Sequence, residues 1–325
     1  MKQNDFLDVM KFTLSLFVLA IHAGLTFRIG CVDFIWPWVR LAVPLFFVIS
    51  SYIFFTRIRG TEDKTGMLKS FVKRAALLYG FWFVLLLPVT LYVRRGSWLG
   101  YGVLLDFLYF LRSLFLGSTF IASWFLSALI ISILIVFVLS RKCSSRLIVL
   151  ISVIPFIWAV DTSSYDIKTV SLGIVPYNSF PIAIVWVSLG KWFSDEKDVF
   201  HMPAWLIGVC LILSLALLGA EWGWRANTTG KYKCDCYFSL LPACVFAFAL
   251  IKNVRMNCGF AKHLRSLSVV VFVLHGSVLA FVPVRIFGSF QILRFIIVLV
   301  VCFSAYLAIY NLQGRKYFKW LKYSY

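Results

Sequence analysis

The chain has 325 residues, of which 62% are hydrophobic and 18% aromatic, and it carries a formal net charge of +19. Its mean hydropathy of +0.91 excludes a soluble globular domain. The positive charge does not indicate nucleic-acid binding, because the Lys and Arg residues flank apolar runs, where membrane topology and anionic lipid explain them better. The composition therefore predicts a polytopic all-α protein embedded in a lipid bilayer.

Ten continuous apolar runs have about the length that a transmembrane helix needs. Only helices and closed barrels satisfy the backbone in lipid, and these runs lack the period-two alternation of barrel strands. In chain order the predicted spans are 6–25, 37–55, 75–93, 123–140, 147–160, 175–190, 203–220, 237–251, 266–283 and 293–312.

The first run, DFLDVMKFTLSLFVLAIHAG, contains two ionisable side chains that share one helical face. Lys11 and His22 are eleven residues apart, which is about three turns and about 16 Å along the axis. Asp8 lies one turn before Lys11 on the same stripe. Because burying such a group in a bilayer costs about 3 kcal/mol, the stripe indicates function. The alternative is a surface ion pair of Asp8 with a snorkelling Lys11, and an interfacial, hydrogen-bonded His22.

A further run at 98–117 contains Asp106 and Arg112, and it decides the topology. If it does not cross and the N-terminus is cytoplasmic, most Lys and Arg residues lie on the cytoplasmic side; if it crosses, more lie outside than inside. The positive-inside rule therefore predicts ten spans, both termini in the cytoplasm, and an interfacial or re-entrant element at 98–117. Residues 1–325 are predicted to form a single membrane-embedded domain without a soluble domain, located in the inner (plasma) membrane.

The eight cysteines are scattered and mostly lie within apolar runs. Cys234 and Cys236 form KCDC, but no second pair stands at zinc spacing, so we predict no metal site. A disulfide with Cys31 is an option if both face an oxidising compartment. The sequence contains no GxSxG, P-loop or HExxH motif.

Five segments, in order, resemble the membrane-bound acyltransferase 3 family, the O-acetyltransferases of bacterial surface polysaccharides. Asp8-x-x-Lys11-x10-His22 is similar to the opening of that family, which has an Arg-x10-His pattern in its first span. The other four are VPLFFVISSYIFF (43–55), KSFVKRAALLYGFWFV (69–84), SWFLSALI (123–130) and VVVFVLHGSVL (269–279). The chain departs from the family pattern where Lys11 replaces arginine, where Ser51 replaces the glycine of FFVISG, and where no second arginine follows Arg74.

The resemblance implies an integral membrane O-acyltransferase. It would move an acyl group, expected to be acetyl, from cytoplasmic acyl-CoA to a hydroxyl of a surface glycan or a lipid-linked precursor. Acetyl-CoA would be a donor substrate, with no cofactor held by the protein. Neutral imidazole suits a general base, so His22 is the candidate to activate the acceptor hydroxyl, or else to carry the acyl group transiently. Lys11 would contact the donor or pair with Asp8.

Other candidate residues each have a second interpretation. Lys69, Lys73 and Arg74 could hold donor phosphates, or be ordinary positive-inside residues. His275 is either a site residue or a core histidine bonded to a neighbouring helix. Trp124 could stack on a substrate or belong to an interfacial aromatic belt. Ser50, beside Ser51, could serve the site or help helices to pack closely.

Two other classes of function compete with acyl transfer. A transporter or flippase would also need many spans with intramembrane charges, but repeated halves and matching broken helices are not visible in the sequence. A membrane sensor or scaffold is disfavoured because no soluble signalling domain is attached.

Overall fold

The computed structural model describes residues 4–25, 28–29, 32–33, 35–98, 100–116, 119–120, 122–165, 174–196, 200–230, 232–282 and 291–325. Of the structure, 81% is helical, in agreement with the predicted all-α class. The α-helices of the described part are α1 (Asp5–Ala23), α2 (Trp36–Val39), α3 (Ala42–Arg59), α4 (Lys64–Trp98), α5 (Val103–Leu116), α6 (Ser123–Leu139), α7 (Ser145–Val160), α8 (Phe180–Asp195), α9 (Ala204–Thr229), α10 (Leu240–Ile251), α11 (Ala261–Phe281) and α12 (Gln291–Leu312).

The remaining elements are short. Strands β1 (Arg28–Ile29) and β2 (Val32–Asp33) pair antiparallel, with Arg28 opposite Asp33. A π-helical turn, Asp161–Tyr165, continues α7, and 3₁₀ helices cover Pro176–Asn178 and Lys316–Tyr323. The small β-ladder was not predicted from the sequence.

Every predicted span overlaps a described helix, and seven helical segments are long and apolar enough to cross a membrane by themselves. Helices α6 and α10 are apolar but have only 17 and 12 residues. A 17-residue helix is about 25 Å long, slightly less than the hydrocarbon thickness of about 30 Å. The helical membrane class is therefore supported, whereas the number of ten spans and the orientation of the termini stay predictions.

Helix α5 occupies the ambiguous run, and its 14 residues extend about 21 Å. The Asp106 carboxylate accepts hydrogen bonds from the backbone N–H of Gly100 and Tyr101 at 3.2 and 2.9 Å, which stabilises the start of the helix. Tyr79 of α4 donates to the carbonyl of Leu114 at 3.0 Å, so the end of α5 reaches the middle of α4. The length of α5 does not decide whether it crosses, since the predicted span at 237–251 holds the even shorter α10, so the interfacial or re-entrant element stays a prediction.

Helix α1 positions the candidate site. It begins after Asn4, whose side chain accepts from the Phe6 N–H, and it ends where Gly24 adopts a φ of 73°, a left-handed conformation that favours glycine. His22 therefore lies in the last turn. The flanks of α1 pack against α3, α11 and α12, which places residues from distant parts of the chain around that turn.

Candidate active site

One cavity, of about 780 Å³, opens between α1, α3, α4 and α6. We call it the basic cavity, because its charged lining consists of four cationic side chains: Lys11, Arg57, Arg74 and Lys322. Apolar side chains form most of the remaining wall, including Phe54, Phe71 and Leu129. The C-terminal segment closes one side, where Trp82 Nε1 donates to the carbonyl of Ser324 at 2.8 Å.

The basic cavity brings together part of the predicted donor site. Ser50 and Arg74 line it together with Lys11. Lys69 and Lys73 are exposed and do not contribute to its lining. Sequence reasoning missed Arg57 and Lys322, because each lies in a predicted cytoplasmic segment, where the positive-inside rule already accounts for a basic residue.

A second cavity, of about 270 Å³, lies between α1, α4, α11 and α12, and we call it the histidine cavity. The imidazole of His22 is accessible in it. Its other polar lining residues are Thr90, Thr119, Ser277 and Arg294. Thr90 is buried, and among the described residues its Oγ1 has no hydrogen-bond partner.

His22 packs against His275, with ring centroids 5.0 Å apart and ring planes tilted by 36°. His275 is fully buried, and its Nδ1 lies 3.0 Å from the carbonyl oxygen of Val271. A carbonyl can only accept, so Nδ1 carries the proton and Nε2 of a neutral ring is left as an acceptor. Among the described residues Nε2 has no partner. The expected bond to a neighbouring helix is thus replaced by a bond within α11 and by the contact with His22.

Arg294 is a site residue that the sequence did not reveal. It is 7% exposed, it lines the histidine cavity, and it stands in the first turn of α12. Its Nη1 donates to the carbonyls of Ala23 and His22 at 2.9 and 3.4 Å, and its Nε donates to Val282 at 2.7 Å. An arginine inside a predicted apolar run was the available signal, since such residues are costly in lipid.

Asp8 and Lys11 lie far from the histidine cavity. Asp8 is 2% exposed, and its carboxylate lies 3.5 Å from the guanidinium of Arg265 on α11, so it links α1 to that helix. Along α1, Asp8 is about 21 Å and Lys11 about 16 Å from His22. Neither can act on the atom that His22 contacts. The geometry therefore places Asp8 as a structural residue and Lys11 in the basic cavity.

The two cavities follow the same faces of α1 and α4. Lys11 and Leu78 line the basic cavity, whereas His22 and Val89 line the histidine cavity. On α1, His22 follows Lys11 by eleven residues, and on α4, Val89 follows Leu78 by eleven residues. Eleven residues of helix advance about 16 Å and return to nearly the same direction. Both cavities thus lie along one path through the helical bundle.

A cluster of buried phenylalanines stands between the cavities: Phe46, Phe125 and Phe272. Their ring centroids are 5.0 to 6.0 Å apart. Phe46 lies one helical turn from Ser50, and Phe125 one turn from Leu129, both of which line the basic cavity. Phe272 lies one turn from Gly276, which lines the histidine cavity, so the cluster is next to residues of both cavities.

Trp124 lies elsewhere, in a smaller pocket that it lines with Arg40 and Asp235. Arg40 and Asp235 form an ion pair at 2.6 Å, which holds the KCDC segment against the bundle. Cys236 is buried there, and burial raises the pKa of its thiol, so the thiol stays protonated. No cluster of possible metal ligands occurs among the described residues. Cys31, the other half of the suggested disulfide, lies outside them.

These features define a helical membrane protein with a basic cavity and an imidazole-bearing cavity on one path through the bundle. A family model described as an acyltransferase domain matches residues 4–312, so the chain belongs to the acyltransferase 3 family. The chain is accordingly a membrane acyltransferase. Comparison with curated proteins gave no significant match, and comparison with solved structures gave none.

Proposed function

We propose that this protein transfers an acyl group, most simply acetyl, from cytoplasmic acyl-CoA to a hydroxyl of a surface glycan or its lipid-linked precursor, in the inner (plasma) membrane. The observation that carries the proposal is the alignment of the basic cavity and the histidine cavity on α1 and α4. One cavity suits a polyanionic donor, and the other suits activation of a hydroxyl.

The basic cavity fits the donor by charge and by its apolar wall. Lys11, Arg57, Arg74 and Lys322 supply four positive charges, which attract the phosphate groups of CoA. Leu126 and Phe54 offer an apolar surface to the arm that carries the thioester. In the predicted topology this cavity faces the cytoplasm, where acyl-CoA is made.

The histidine cavity fits the acceptor. We assign to the His22 imidazole the removal of the proton from the attacking hydroxyl, and the hydroxyl of Ser277, which lines the same cavity, can hydrogen-bond a saccharide. The hydroxyl oxygen bonds to the thioester carbonyl carbon and the C–S bond breaks. The proton passes from the imidazole to the departing thiolate, so CoA leaves as the thiol. If His22 carries the acyl group instead, the acyl group is transferred twice, first from the CoA sulfur to the imidazole and then from the imidazole to the hydroxyl.

The phenylalanine cluster implies that the arm of the donor, or the acyl group, must displace Phe46, Phe125 or Phe272 to reach His22. Rotamer changes of side chains are common on binding, whereas backbone movement is small in most complexes. Transfer across the bundle thus requires a local opening rather than movement of whole helices.

Sealed membrane vesicles of defined orientation test the proposal. Radiolabelled acetyl-CoA is supplied to the cytoplasmic face only, and label is measured in the envelope glycan after the vesicles are washed. We expect incorporation with wild-type protein, and loss with His22→Ala. Matched His201→Ala should behave as wild type, since His201 is an exposed residue that lines neither cavity. Incorporation from the opposite face alone, or wild-type incorporation by His22→Ala, would contradict the proposal.

A further inference from the structure

Arg294 joins the ends of the two helices that carry the histidine pair. Its Nη1 donates to the Ala23 carbonyl at the end of α1, and its Nε donates to the Val282 carbonyl just beyond α11. The Ala23 and Val282 carbonyls lie at the C-terminal ends of α1 and α11. Carbonyls at such an end have no partner within the helix and carry partial negative charge. A guanidinium is therefore well suited to this junction, because it supplies several donors in a rigid fork together with a positive charge.

The hydrogen bonds to the two helix ends leave part of the guanidinium unused. An arginine carries five N–H donors, and those on Nη2 make no hydrogen bond within the described part of the chain. Arg294 nevertheless lines the histidine cavity together with His22. A cationic group with unused donors thus borders the same space as the accessible imidazole.

We propose that Arg294 is a catalytic residue that stabilises the oxyanion formed on the thioester carbonyl during acyl transfer. The inference rests on the proposed function. When the hydroxyl oxygen bonds to the carbonyl carbon, the electron pair of the C=O bond moves to its oxygen, and the guanidinium offers an N–H and a positive charge to that oxygen. The electron pair on the oxyanion re-forms the C=O bond as the C–S bond breaks. The proton taken by His22 then goes to the thiolate.

The anchoring hydrogen bonds are part of this role. Because Nε and Nη1 are held by backbone carbonyls of three different residues, the guanidinium needs little reorganisation when negative charge develops. Two of these carbonyls, those of His22 and Ala23, belong to the turn that presents His22, so base and oxyanion donor keep a constant relation. Lysine could supply the charge but not the fork.

The test compares steady-state kinetics of purified Arg294→Gln, Arg294→Lys and wild type, following release of the CoA thiol from acetyl-CoA with envelope glycan as acceptor. Arg294→Gln should lower kcat about a hundred- to a thousand-fold while KM for acetyl-CoA stays near wild type, the loss typical of one oxyanion donor. Arg225→Gln is the matched control. Arg225 is 6% exposed and also bonds a backbone carbonyl, that of Ser164, but it lines neither cavity.

The pH profile of Arg294→Lys separates catalysis from structural support. Lys11 and Lys322 of the basic cavity lose their charge at alkaline pH in both proteins, whereas only the variant has a titrating group at position 294. At saturating acetyl-CoA, kcat of Arg294→Lys should therefore fall more steeply than kcat of wild type as pH rises through the lysine range. The pH profile of Arg294→Lys tests the assignment even if Arg294→Gln does not fold. Wild-type kcat per folded molecule in Arg294→Gln, or an alkaline profile of Arg294→Lys that matches the wild-type profile, overturns the assignment. Absence of transfer by wild type would instead refute the proposed function.

Discussion

Replacement of Gly190 by alanine should strongly destabilise the helical bundle. Gly190 lies where α8 crosses α3, and a Cβ built there would stand 2.0 Å from Ser51 Oγ. It would also stand 2.7 Å from the Val48 carbonyl oxygen and 2.8 Å from the Tyr52 nitrogen. Two of these three neighbours are backbone atoms, which cannot move aside without shifting the helix.

The size of the effect follows from these distances. Non-bonded atoms prefer separations of about 3.5–4.0 Å, so the two helices must separate by roughly 1 Å at this point. Overpacking a well-packed core costs about 1–3 kcal/mol, and the backbone overlaps place Gly190→Ala at the upper end, about 3 kcal/mol. Adding Ser51→Ala removes only the shortest overlap. It should therefore recover part of the loss, with a coupling energy of about 1 kcal/mol between the sites.

Thermal unfolding in detergent, followed by tryptophan fluorescence, measures both variants. Gly208→Ala is the matched control, because Gly208 also lies within a helix but a Cβ there meets nothing within 4 Å. This control should be neutral or more stable by up to about 1 kcal/mol, since alanine favours helix. If Gly190→Ala proved as stable as Gly208→Ala, the close crossing of α3 and α8 would be refuted.

Three further predictions concern charge and topology. Lys11→Arg should keep most acyl transfer and Lys11→Met should lose it, because the basic cavity needs a cation; wild-type transfer by Lys11→Met would remove this residue from the donor site. Asp8→Asn should lower the free energy of unfolding by only about 1 kcal/mol, because its partner Arg265 is 39% exposed and can be solvated; an unchanged melting temperature would contradict the link between α1 and α11. Single cysteines at Gly100 and Gly117, in a cysteine-free background, should both react with an impermeant reagent from outside. Reaction of the two from opposite sides would mean that the run 98–117 crosses the membrane; Gly117 itself lies outside the described residues.

The helices were predictable from the sequence because a backbone in lipid must satisfy its own hydrogen bonds. A continuous apolar run therefore predicts a helix almost regardless of its individual residues. The short ladder at Arg28–Ile29 and Val32–Asp33 was missed because it lies in a connection, where that constraint does not apply. Helix α5 was placed by counting charges, since its own sequence fits both a span and an interfacial helix.

The candidate site was predictable only where it follows helical periodicity. The spacing of Lys11 and His22 placed them at two depths on one face, and the structure puts them in two separate cavities. The pairing of His22 with His275, and the bonds of Arg294 to the end of α1, depend on which helices become neighbours. Periodicity within a single helix carries no information about that choice, so these contacts required the folded structure.

The most direct test of the account is mass spectrometry of the surface glycan from cells that carry the wild-type gene, the gene encoding His22→Ala, or no copy of it. The account predicts glycan bearing the mass of an added acyl group with wild type only. His22→Ala protein should be present in the membrane at normal abundance while its glycan matches that of cells without the gene. Acylated glycan at the wild-type level with His22→Ala, or in cells that lack the gene, would contradict the central claim that His22 serves acyl transfer to the cell surface.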